Sequence, residues 1–155
     1  MSTLDERIVV EVFRAASLLA GEGNRLAGTL GLTQQQWVLL AAVARAGPEG
    51  LPLSALGRSL LVTKANITGM VDRLERDGYV SREDHPSDRR VTRARLTQKG
   101  RRFLDAIGPL QEAWNRRAFG GFSRTDQASL LRLLERQVHA LKRMETETLA
   151  RRRSA

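Results

Sequence analysis

The sequence predicts a mainly α fold with a small β-wing: a winged helix-turn-helix core flanked by long helices at both ends. Three observations carry this reading. Apolar residues recur at helical spacing near both termini, from Ile8 to Leu26 and from Leu130 to Met144. A short helix, a tight turn and a longer helix follow one another between Ser54 and Gly78. Two short β-patterned runs joined by a polar, turn-rich loop come directly after.

The first helix is marked by Ile8, Val9, Val12, Phe13, Ala16, Leu19 and Leu26, which share one face. Gly21 and Gly23 predict a kink or loosened turn in it, and Gly31 ends it. Thr33 and Gln36 form the capping box of a second helix. Leu32 before the cap and Trp37 at the fourth helical position make a hydrophobic staple. That helix runs through Val43 and stops at Gly47-Pro48. Leu51 to Leu53 reads as a short extended piece, and Ser54 as the cap of a two-turn helix to Leu60. Leu61 and Val62 make the tight turn.

Thr63 then caps a helix from Lys64 to about Asp77, whose apolar face is Ile67, Met70, Val71 and Leu74. Gly78 suits the position just past its end, where a positive φ is wanted. Tyr79 to Glu83 and Val91 to Leu96 read as strands, with Thr92, Ala94 and Leu96 on one face of the second. The loop from His85 to Arg90 joins them as a wing, turned by Pro86 and Ser87. Thr97 caps another long helix carrying Phe103, Leu104, Ile107, Leu110, Trp114 and Phe119, with a bend expected at Pro109. Gly120-Gly121 breaks the chain, and Ser123 with Asp126 repeats the cap logic. The last helix leads to a frayed Arg151-Arg152-Arg153 tail.

Leu130, Leu131, Leu133 and Leu134 cover a broader arc than a lone surface helix needs. Burial against a second copy of the chain would use it. The expected organisation is one domain, residues 1–155. A DNA-binding lobe spans 32–100, and a helical dimerisation region spans 1–31 plus 101–155.

Composition narrows the function. The formal net charge is +9, which points to an anionic partner such as nucleic acid or a membrane surface. With no cysteine, disulfides, thiolate metal sites and thiol redox sensing are all excluded. The only histidines are His85 and His139, and no nucleophile motif, phosphate loop or metal-ligand spacing appears. We therefore expect no enzyme, no catalytic residue, no metal and no cofactor. Asp5, Glu6 and Arg7 precede the first apolar residues, and no apolar run approaches ~18 residues. A cytoplasmic protein with no membrane association is expected.

A duplex major groove admits one α-helix, whose first turns must carry small or polar side chains. Thr63, Lys64, Ala65, Asn66 and Thr68 meet that requirement while Ile67 and its companions face the core. Asn66 suits adenine, Lys64 guanine or phosphate, and Ala65 a thymine methyl. The wing supplies the second contact. Inserted arginines are attracted by phosphates and by the narrow minor groove, and Arg89 and Arg90 are placed at the wing tip. Asp88 has the wrong sign for DNA. It is expected to brace the tip by pairing with Arg90, or with Arg73 on the helix. Arg93 and Arg95 share a face of the return strand and read as supporting phosphate contacts or as solvated.

The segment Thr63 to Gly100 closely resembles the recognition helix and wing of MarR-type transcription regulators. The resemblance rests on Val71 to Gly78 (VDRLE-x-x-G), Asp88 to Arg90 (DRR) and Leu96 to Gly100 (LT-x-KG) in that order. It implies a homodimer joined through its terminal helices, with two recognition helices entering successive major grooves of a palindromic operator. It implies that Arg90 is the minor-groove arginine and Asp88 the acid that braces it. It also implies repression of nearby genes, relieved by a small aromatic or phenolic ligand. Trp37, Arg14 and His85 are the candidate ligand contacts. Each has a plainer reading, as staple, surface and turn residue respectively. Two other functions compete: a nonspecific DNA-coating protein, and a winged helix used for protein contacts.

Overall fold

The computed structural model describes residues 3–60, 63–85 and 88–154; the side chains of Lys64, His85, Asp88 to Arg90, Leu149, Ala150 and residues 152–154 lie outside it. The element order is α1 (Leu4–Gly28), α2 (Gln34–Arg45), β1 (Leu51–Pro52), α3 (Leu53–Leu60), α4 (Lys64–Arg76), β2 (Val80–His85), β3 (Asp88–Leu96), α5 (Gln98–Ala118) and α6 (Arg124–Ser154). The chain divides into two compact units, residues 1–111 and 112–155.

The first unit holds the core. Leu39, Leu40, Leu56, Ile67, Val71, Leu74, Val80, Ala94 and Ile107 are all but inaccessible to solvent. They come from α2, α3, α4, both wing strands and the first half of α5, so the helix-turn-helix and the wing share one apolar centre. Helix α1 joins it through its last turn, by Ala27, with Leu26 also buried. Its earlier turns expose Leu4, Ile8, Val9, Val10, Val12, Phe13, Leu18 and Leu19.

The helix starts follow local chemistry. Thr33 accepts from the Gln36 amide at 3.3 Å while the Gln36 side chain accepts from the Thr33 amide at 2.9 Å. Leu32 and Trp37 both belong to the buried core, as a staple requires. A further capping box at Thr3 and Glu6 starts α1.

Helix α1 runs unbroken through Gly21 and Gly23, against the expected kink. Gly23 serves close packing instead: a Cβ there would lie 2.6 Å from Cγ of Gln34 at the start of α2. Helix α3 begins at Leu53, so Ser54 lies inside its first turn and is not its cap. The expected turn at Leu61 and Val62 lies outside the described residues. The extended piece is a strand, β1, which pairs with β3 and gives a three-stranded antiparallel sheet in the order β1-β3-β2. Phe119 falls one residue past the end of α5. Helix α5 continues past Pro109, and α6 stays helical through Arg151-Arg152-Arg153.

The wing strands are longer than the alternation implied. β2 runs on to His85 and β3 begins at Asp88, so Asp88, Arg89 and Arg90 belong to a strand. Pro86 and Ser87, the expected turn, lie outside the described residues. Asp84 pairs with Thr92, yet His85 pairs with Asp88. One step on β2 thus spans four on β3, leaving Arg89, Arg90 and Val91 between the two pairs without a counterpart on β2.

The second unit contains the end of α5 and all of α6. Ser123 and Asp126 form the predicted reciprocal cap: the Asp126 amide donates to Oγ of Ser123 at 3.1 Å, and the Ser123 amide donates to Oδ2 of Asp126 at 3.1 Å. The hydrogen bonds from Ser123 hold the Asp126 carboxyl below its ordinary value. No described residue of α6 is buried.

Candidate nucleic-acid interface

Helix α4 is where sequence, packing and charge meet. At 3.6 residues per turn, successive side chains are separated by ~100°. Ile67, Val71 and Leu74 therefore form one stripe, and they are buried, with Met70 beside them. Thr68, Asp72 and Glu75 form a second stripe, ~100° round the helix. Ala65, Asn66, Gly69, Arg73 and Arg76 occupy the third face. All are exposed except Gly69, which is partly so. Arg73 and Arg76 make no ion pair among the described residues. The third face is small, polar and basic, and no described residue covers it.

Both ends of α4 are fixed. Thr63 caps the start, its Oγ1 accepting from the Asn66 amide at 3.3 Å. Among the predicted contacts this gives Thr63 a structural role at the helix entry and leaves the side chains of Ala65 and Asn66 exposed. At the other end the Tyr79 amide donates to the Leu74 carbonyl at 2.7 Å and the Gly78 amide to Glu75 at 2.9 Å, a Schellman closure with Gly78 at φ +77°. The segment Thr97-Gln98-Lys99-Gly100 seals that closure. Oγ1 of Thr97 reaches the carbonyls of Gly78 (2.7 Å) and Tyr79 (3.1 Å). Nζ of Lys99 donates to the Asp77 carbonyl at 2.7 Å and lies 4.4 Å from the centre of the Tyr79 ring. A Cβ on Gly100 would collide with the Tyr79 carbonyl oxygen. The small residue is thus required where α5 crosses the end of α4.

The acidic stripe of α4 has a dedicated partner that sequence reasoning missed. Arg82 on β2 contacts Asp72 (2.5 Å) and Glu75 (3.3 Å) and donates to the Thr68 carbonyl at 3.2 Å. Its own amide donates to Oε1 of Glu75 at 2.9 Å. A signal existed. Carboxylates on a helix destined for a polyanion need an internal partner, which is the argument that singled out Asp88.

The arginines of the wing divide into paired and undescribed. Nη1 of Arg93 donates to the Glu49 carbonyl at 3.0 Å and lies 3.7 Å from the Glu49 carboxylate, so it ties the wing to the loop before β1. Arg95 pairs with Glu83 at 2.6 Å, and this hydrogen bond with its charge raises the guanidinium above its ordinary value. Neither is a free cation. The backbone places Asp88, Arg89 and Arg90 at the distal end of β3, while their side chains, with those of Lys64 and His85, lie outside the described set.

Of the candidate ligand contacts, Trp37 and Arg14 are described, while the side chain of His85 lies outside the described residues. Trp37 is part of the core, and Arg14 is exposed and paired with Glu11 at 3.0 Å on its own helix. A cleft of about 730 Å³ in the first unit is lined by Ala44, Gly47, Ser81, Glu83, Arg95 and Arg101 among others, and by neither Trp37 nor Arg14. Among the described residues no cluster of histidine and carboxylate could hold a metal, and no helix is long and apolar enough to cross a membrane.

Comparisons with known proteins agree with this geometry. Residues 32–92 match the MarR family model. The chain is 31% identical over 144 residues to the transcriptional activatory protein BadR of Rhodopseudomonas palustris, covering 92% of this chain and 82% of that one. It is 36% identical over 106 residues to the HTH-type transcriptional regulator YkoM of Bacillus subtilis, covering 68% of each. Among solved structures it resembles Sco3205 of Streptomyces coelicolor, a MarR family transcriptional regulator in complex with DNA. The TM-score is 0.81 at 28% identity, over 91% of this chain and 90% of that one. All three are named as transcriptional regulators or activators, and the last is solved in complex with DNA. The chain belongs to the MarR family of winged helix-turn-helix transcription regulators.

Proposed function

We propose that the protein is a homodimeric, sequence-specific regulator that binds a palindromic operator and controls nearby genes. Helix α4 enters the major groove with Ala65, Asn66, Arg73 and Arg76 toward the bases and phosphates. The β2–β3 hairpin brings Arg89 and Arg90 to the adjacent minor groove. The observation that carries this is the third face of α4, which is exposed, small and basic, on a helix fixed at both ends. The likeness to a DNA-bound relative supports the same orientation. Helices α1 and α6 expose apolar side chains along most of their length, which supports burial between two copies. Such a dimer would meet a palindromic operator with its recognition helices about one turn apart.

Repression is the family expectation, but one named relative is an activator and another, YetL of Bacillus subtilis, a repressor. The sign follows from where the operator lies relative to the promoter. Relief by an aromatic or phenolic ligand rests on the family alone, because Trp37 and Arg14 have structural work of their own.

A nonspecific DNA-coating protein would need the charge but not the graded face of α4. Competition binding decides. A duplex selected by the protein should be preferred over random DNA by ~10³-fold or more, and a preference of no more than ~10-fold would rule out the specific regulator. Arg90→Ala should then weaken operator binding and leave the oligomer intact. Asn66→Ala should relax base preference more than it lowers binding to random sequence.

A further inference from the structure

Helix α4 and the wing hairpin share the core at Val80 and Ala94, and outside it they are joined at two polar points. One is the Schellman closure, where the chain leaves α4 at Asp77 and re-enters regular structure at Val80. The core holds the base of the hairpin, but this closure of three residues by itself gives the outer part of β2 no side-chain tie to α4. The second point is Arg82, which reaches back from β2 to Glu75, Asp72 and Thr68, three residues in the i, i+4, i+7 relation on one stripe of the helix. Two points fix an orientation where one does not.

We propose that Arg82 is a positioning residue that couples the wing to the recognition helix, so that both engage a duplex as one rigid body. The proposal rests on the duplex-binding reading given above. The chemistry favours arginine for this task. A guanidinium presents donors in a planar fork, so its two terminal nitrogens serve Asp72 and Glu75 at once while one also reaches the Thr68 carbonyl. A lysine ammonium cannot span the three acceptors in that plane. Arg82 also neutralises carboxylates that would otherwise repel the polyanion beside the base-reading face. Ion pairs this close to the surface contribute little to stability, so the value of the contact lies in geometry.

The test uses the full chain and a duplex selected by the wild-type protein from a random pool. Arg82→Gln should lower affinity for that duplex about 10-fold or more. The thermal midpoint should stay close to the wild type. Hydroxyl-radical protection should fade at the minor-groove positions contacted by the wing before it fades under α4. Arg82→Lys should recover only part of the loss. Combining Arg82→Gln with Asp72→Asn should cost no more than Arg82→Gln alone, whereas additive losses would show that the two residues act separately and overturn the coupling.

Amide hydrogen exchange of the free protein gives an arm independent of DNA. Arg82→Gln should speed exchange in β2 and β3 and leave the amides of α4 unchanged, and unaltered strand exchange would sink the proposal. Should the wild type select no sequence at all, the duplex reading falls while the exchange arm still decides whether Arg82 holds the wing.

Discussion

Helices α4 and α6 begin alike and end in opposite situations. Each starts at a hydroxyl cap, Thr63 in one and Ser123 in the other. Helix α4 then sorts its side chains into a buried stripe, a paired stripe and an open face. Helix α6 buries none of its described residues. Yet α6 is no less patterned. Leu130, Leu131, Leu133, Leu134, Val138, Leu141 and Met144 fall within an arc of about 160°, and Leu131 and Leu141 remain 58% and 53% exposed. An apolar face of that width is stable in water only when something covers it. Helix α4 is thus completed by its own chain, while α6 keeps an apolar face that the proposed dimer would cover with a second copy.

The largest expected effect tests α6. Leu134→Glu with Leu141→Glu places two charges at the centre of its apolar arc. Each leucine lost from a dimer interface removes about 2 kcal/mol of apolar burial per protomer, and buried charge adds to that. Sedimentation at micromolar concentration should show a monomer, with operator affinity lost alongside. An unchanged mass would mean that α6 is covered by something other than a second copy.

The intermediate effect tests the open face of α4. Gly69 lies mid-helix, and a Cβ there would meet nothing within 4 Å. Glycine in a helix interior costs about 1 kcal/mol relative to alanine. Gly69→Ala should therefore raise the thermal midpoint by a few degrees and, by filling the space between Asn66 and Arg73, weaken operator binding. The two readouts move in opposite directions. A variant that is more stable and binds DNA as well as the wild type would show that α4 keeps its distance from the groove.

The smallest effect tests the cap of α6. The folded pKa of Asp126 is depressed, so its contribution to stability is present above the unfolded carboxylate value of about 3.9 and is lost as the pH falls through the folded value. Ser123→Ala should lower the urea midpoint slightly at neutral pH, and the gap to the wild type should close in acid. A gap that persists below that range would assign the stabilisation to the hydroxyl alone.

The legible parts of the fold were those where one residue type has one local use. Thr33 with Gln36, Ser123 with Asp126, and Gly78 after a helical run each announce a helix end, because few other residues satisfy orphan amides or accept φ +77°. What the sequence hid depends on partners distant along the chain. Leu51 and Pro52 read as an extended piece, but nothing nearby in the chain shows that Ala94 and Arg93 pair with them. Gly23 reads as a breaker until Gln34 packs against it. Sequence pattern already sets Arg89 and Arg90 at the wing tip apart from Arg93 and Arg95 on the return strand, but it does not reveal that Glu49 and Glu83 hold the latter pair or that the former lie in a bulge. Arg82 was overlooked for the same reason, since its acceptors sit up to 14 residues earlier.

The separation of α4 into stripes has an evolutionary corollary. On the proposed reading, substitutions at Ala65, Asn66 or Arg73 would alter the bases that α4 contacts, and being exposed they leave the core at Ile67, Val71 and Leu74 untouched. Descendants of this chain can acquire new operators by single steps that never pass through a misfolded ancestor. The paired stripe admits no such drift, because Asp72 and Glu75 answer to Arg82 and must change together with it. Paralogues that diverge in the genes they control should therefore differ first on the open face and last on the braced one.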